Sequence, residues 1–102
     1  MKYYGLFGNL VAKSGKGDEL ASILLDASKI LSNSKGCRQY IVSKDLKDED
    51  CIWINEIWDS IEDHHDSLKM DVVKELISKA IPILAKPPEK GFEMEVIGGK
   101  GI

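Results

Sequence analysis

The sequence predicts an α+β domain in which a four-stranded antiparallel sheet carries two long helices on one face. Three observations lead there. Residues 3–11, 37–44, 51–59 and 91–97 are apolar, strand-length stretches bounded by turn formers. Residues 18–31 and 69–86 repeat their apolar positions at helical spacing. The order strand, helix, strand, strand, helix, strand is that of the split βαββαβ, or ferredoxin-like, arrangement.

Each element has its own signal. In residues 3–11, Tyr4, Leu6, Gly8 and Leu10 fall on one face, and Tyr3, Phe7, Asn9 and Val11 on the other. Both faces are largely apolar, so both are expected to be covered. Ser14-Gly15-Lys16-Gly17 breaks this strand, and Asp18-Glu19 puts acids in a first helical turn, where the helix dipole favours them. Leu20, Ile23, Leu24, Ala27 and Leu31 then form one stripe. The helix is expected to stop in Ser32-Asn33-Ser34-Lys35-Gly36.

Cys37 to Lys44 and Cys51 to Asp59 read as a hairpin around the charged loop Asp45-Leu46-Lys47-Asp48-Glu49-Asp50. That loop lacks the glycine and the terminal glutamate of an EF-hand, so it reads as a solvated turn. Ser60, with Asp63 three residues on, is a near capping box for a short helix over 61–68. A second amphipathic helix is expected over Lys69 to Lys86, kinked or ended near Ala80 by Pro82. Pro87-Pro88 links it to a last strand over Gly91 to Ile97.

Composition narrows the function. At 102 residues the chain is one domain, long enough to bury about two-thirds of its unfolded surface. A net charge of -3 and an isoelectric point near 5.3, with lysines interspersed among acids, give no basic face for nucleic acid. No apolar run approaches the roughly 20 residues that cross a bilayer. The opening Lys2-Tyr3-Tyr4-Gly5 has no signal-peptide apolar region, so a cytoplasmic protein is expected. Cys37 and Cys51 open consecutive strands of one hairpin. They would lie roughly 23 Å apart at the usual strand rise, against the roughly 7 Å a disulfide tolerates. Both thiols are expected to be free. No metal-ligand spacing and no glycine-rich phosphate loop occur, so neither metal nor flavin is expected.

The stretch from Asn55 to Leu68 is where the sequence looks like more than scaffold. It brings Trp58, at a strand end, close to His64 and His65 on the short helix. Helical spacing puts Ile61, Leu68 and one of the two histidines on one face. His65 is one step round from His64, about 100° away, and reads as solvated. Adjacent histidines do not readily serve one metal.

The chain resembles the antibiotic biosynthesis monooxygenase domain, the group of dimeric α/β barrels that includes quinol monooxygenases. The resemblance spans nearly the whole chain. It rests on Gly15-Lys16 before Asp18-Glu19-Leu20, Gly36-Cys37 with Tyr40, and Glu56-x-Trp58 followed by His64; Ser67-Leu68 and Ala80-x-Pro82 add to it.

This resemblance implies a pocket between helices and sheet in each subunit of a homodimer, whose stacked sheets would cover the second apolar face. It implies oxidation of a quinol-like or aromatic polyketide-like small molecule by O2, without cofactor. His64 would be the catalytic group, accepting or orienting a phenolic proton, a task suited to an imidazole. Trp58 would wall an aromatic substrate, and Asn9 and Tyr40 would hydrogen-bond its oxygens. Trp53 would point into the dimer barrel, and Glu56 reads as a barrel or dimer contact. The alternative is a non-catalytic small-molecule-binding barrel of the same shape. A lesser alternative is a haem-degrading monooxygenase. Asn9 and Trp58 fit that pattern loosely, but His64 comes too early for it.

Overall fold

In the computed structural model, residues 2–102 are described. They form β1 (Tyr3–Val11), α1 (Gly17–Leu31), β2 (Cys37–Lys44), β3 (Cys51–Trp58), α2 (Ile61–Ser67), α3 (Asp71–Ala80), a 3-10 turn (Ile81–Ile83) and β4 (Phe92–Val96). The strands make one antiparallel sheet in the order β2-β3-β1-β4. This is the expected ferredoxin-like α+β fold.

The second long helix is shorter than the periodicity predicts. It begins at Asp71 and ends at Ala80, after which Ile81-Pro82-Ile83 tightens into the 3-10 turn. Proline at 82 lacks the N–H that an α-helix would use. Leu84 then leaves in extended geometry and bridges to Ala12, closing the chain against the end of β1.

Two side chains from loops set the helix starts. Asp50 accepts the backbone N–H groups of Gly15 (3.2 Å) and Gly17 (2.9 Å) with its two carboxylate oxygens, which ties the turn before α1 to the β2–β3 hairpin. Ser60 caps α2 as its sequence suggests, its hydroxyl accepting the N–H of Asp63 at 3.1 Å. Gly36 sits at φ +80° ahead of β2, and its carbonyl accepts the N–H of Asp59 at 2.8 Å.

The register sorts the sheet into two faces. Leu6, Glu56 and Tyr40 lie side by side in one row, with Leu10 and Ile52 in another. This side meets the helices. Leu20, Leu24, Ile52, Ala80, Ala12 and Leu84 form one buried cluster there, and Leu31, Trp58 and Val73 a second. The opposite face carries Phe7 beside Asn55 and Phe92, and Asn9 beside Trp53. Within the chain it is uncovered: Phe92 is 68% exposed, Ile41 48% and Met94 45%. Cys37 and Cys51 are both free, one paired with Trp58 at the end of β3 and the other opening that strand.

Candidate active site

A cavity of about 220 Å³ lies between α1, α3 and the sheet. Its walls draw on both core clusters, Leu24, Ala80 and Leu84 from one and Leu31 and Val73 from the other. Aliphatic side chains make most of the lining, and no lysine or arginine is among it. Four polar side chains reach it: Tyr40 from β2, Glu56 from β3, and His64 and Ser67 from α2.

Helical geometry decides between the two histidines. Capped at Ser60, α2 turns His64 inward to 8% exposure and leaves His65 in solvent. The imidazole of His64 is wedged between aromatic rings. Its centroid is 5.7 Å from that of Tyr4 and 5.7 Å from that of Trp58, the latter edge-on. Its Nε2 is 3.7 Å from Oε1 of Glu56, and its buried Nδ1 has no hydrogen-bond partner among the described residues.

Glu56 corrects the sequence reading. Expected at the barrel or dimer face, it points instead to the helices, in the same row as Leu6 and Tyr40. Trp58 Nε1–H donates to its Oε1 at 3.1 Å. The signal was available. Glu56 has the parity of Ile52, Ile54 and Trp58, so an acid facing the same way as a core tryptophan had to be buried.

Electrostatically the pair is held close to neutral. Burial pushes the Glu56 carboxyl up to about 7, against a smaller opposing effect of the Trp58 hydrogen bond. Burial also pushes the His64 imidazole below its ordinary value, and neighbouring His65 adds to this. The 3.7 Å separation lies within ion-pair range, yet it is too long for a hydrogen bond and neither group gains its charge from the other. Desolvation dominates over attraction. Burial likewise raises the Tyr40 hydroxyl, with the Glu56 carboxyl adding to it.

The other expected site residues fall elsewhere. Trp58 is 0% exposed and packs with Leu31 and Val73; it backs the site and does not line the cavity. Complete burial leaves no ring face open to the cavity for stacking. Asn9 is offset by one residue from Leu10 and therefore turns to the other face, beside Trp53. It borders a cleft of about 100 Å³ that Leu10, Ile54 and Glu56 also line. Among the described residues no cluster of three or more potential metal ligands occurs, and no helix is long and apolar enough to cross a membrane.

The family model for antibiotic biosynthesis monooxygenase matches residues 4–79 of the chain. Among solved structures, a "putative Antibiotic biosynthesis monooxygenase" from Chloroflexus aurantiacus J-10-fl is 40% identical, with 98% of each chain covered and a TM-score of 0.87. A protein of the same name from Deinococcus radiodurans is 22% identical, with 100% of this chain and 96% of that one covered and a TM-score of 0.74. A Bacteroides thetaiotaomicron protein described as a possible oxidoreductase is 14% identical over 93% of this chain and 96% of its own, with a TM-score of 0.75. The last two likenesses speak to the fold alone. A comparison with curated proteins finds no match.

Proposed function

The chain belongs to the antibiotic biosynthesis monooxygenase family, and from that membership we propose that it is a monooxygenase acting on a neutral, quinol-like aromatic with O2 and no cofactor. The observation that carries this reading is the contrast inside the cavity. Its walls are aliphatic, and its polar groups are Tyr40, Glu56 and His64 beside the sheet, with Ser67 on α2. Such a site suits a flat apolar body with a hydroxyl at one end. It disfavours an anionic substrate, since no lysine or arginine among the described residues lines it.

The chemistry follows from desolvation. A hydroquinone is a poor electron donor to O2 until it loses a phenolic proton. Holding it dry beside His64 lets that imidazole accept or orient the proton at neutral pH. Tyr40 supplies a second hydrogen-bonding group for a substrate oxygen. The working unit in this proposal is a homodimer stacked through the exposed sheet face, which places large apolar side chains such as Phe92 and Met94 out of water.

The test is oxygen consumption with a panel of hydroquinones, comparing the wild type with His64→Ala. Uptake that depends on His64 supports the proposal. Tight binding of a phenol with no oxygen uptake by the wild type would make the protein a binding module instead.

A further inference from the structure

Among the described residues, Glu56 is the one acid facing the cavity, and geometry places a proton between it and His64. The buried Nδ1 of His64 has no partner. A buried N–H without an acceptor is costly, whereas an unpartnered lone pair is a smaller loss. The neutral ring therefore carries its proton on Nε2, the nitrogen facing Glu56. The carboxyl is itself fixed in place by the indole N–H of Trp58 at 3.1 Å. The resulting gap of 3.7 Å is too wide for a direct hydrogen bond but admits a third atom. An oxygen seated about 2.8 Å from both Oε1 and Nε2 satisfies each at normal hydrogen-bond length.

Resting on the reading of the cavity as an oxidative site for a phenol-type hydroxyl, we propose that Glu56 is a further catalytic residue: its carboxylate takes the proton of the bound hydroxyl, while neutral His64 donates Nε2–H to the oxygen left behind. One O–H bond breaks on the substrate and one forms on Glu56. The electron pair stays on the substrate oxygen, which becomes a phenolate held by the imidazole N–H. His64 then orients, and Glu56 is the base.

Burial supports this division of labour. It lifts the carboxyl to about 7, so the group can hold a proton at neutral pH and also release it, and it keeps the imidazole uncharged. The titratable groups around Glu56 and His64 are Tyr40 and Cys37 from β2, Tyr4 from β1, Glu93 from β4 and His65 from α2. The hydroxyls and the thiol are all raised by burial and stay protonated near neutrality. Glu93 accepts from Tyr4 and Lys90, which holds it in its ionised form. Glu56 is thus the carboxyl that titrates near pH 7.

The test begins on the ligand-free protein with carbon-13-labelled glutamate side chains. One carboxyl is expected to titrate near neutrality and to be missing from Glu56→Gln; if every carboxyl titrates in the ordinary range, the proposal fails whatever the turnover. With a hydroquinone that the wild type oxidises, activity should rise with pH through about 7. Glu56→Gln should lower kcat by about 10²-fold or more and abolish that step, while His64→Gln, which keeps an N–H donor, should retain it. A Glu56→Gln enzyme within a few-fold of wild type, or one with an unchanged pH step, overturns the assignment. If no hydroquinone is turned over, the oxidative reading falls, and 1-naphthol decides for Glu56. Saturating 1-naphthol should move the Glu56 titration if the hydroxyl bridges the pair, and no movement refutes it.

Discussion

Oε1 of Glu56 lies 3.7 Å from Nε2 of His64, at the foot of an aliphatic cavity. The two groups reach this point from different elements, one from the middle of a strand and one from the first turns of a capped helix. Their meeting gives the site its chemistry and also makes it pH-sensitive.

His64→Ala should reduce kcat on an active hydroquinone by about 10²-fold or more, and His65→Ala much less. The reason is placement: His64 is buried at the cavity and His65 is in solvent. Steady-state oxygen uptake checks it. Full activity in His64→Ala, or a larger effect from His65→Ala, would remove His64 from the site.

Stability should fall as pH rises past Glu56. Its carboxyl moves from an ordinary 4.5 to about 7 on folding, so the folded state binds more protons than the unfolded between those values. That contribution is complete below pH 4.5 and lost by the time pH passes 7, a swing of about 3 kcal/mol. The lowered value of His64 acts in the opposite sense and removes stability as pH falls below 6.5. Glu56→Gln should therefore lose ground to wild type at pH 5 and gain it at pH 8. Denaturant melts at both pH values measure the difference, and a difference independent of pH would contradict the buried carboxyl.

The uncovered sheet face predicts a homodimer. Wild type should sediment at twice the 11.3 kDa chain mass at micromolar concentration. Trp53 lies on that face, its Nε1–H donating to Asp45 at 3.1 Å. Trp53→Glu should shift the population toward monomer by placing a charge in the stacked interface. A monomeric wild type would count against the stacked arrangement.

Gly36→Ala should cost about 1–3 kcal/mol, because a non-glycine residue is strained at φ +80°. The added Cβ would also clash with the carboxylate of Asp63, at the start of α2. Urea denaturation gives the number. Because the clash displaces the helix that carries His64, oxygen uptake should fall along with stability. A neutral result would show that α2 can shift without cost.

Much of this protein was legible in one dimension. The period-2 and helical patterns, the Ser60 cap and the proline at 82 each act through neighbours within a few residues, and such local effects survive in the sequence. They were enough for element order, and element order was enough for the ferredoxin-like sheet. The resemblance to a monooxygenase family was carried the same way, by motifs such as Glu56-x-Trp58 with His64. Tertiary structure alone decided how the site is assembled. Whether Trp58 lines the cavity or backs it depends on Leu31 and Val73, which come from other elements and close over the ring. Which way Asn9 points depends on which sheet face the helices cover, and a strand apolar on both sides does not say. The acid–base character of Glu56 arises from desolvation, a property of everything packed around the carboxyl and of no residue in particular.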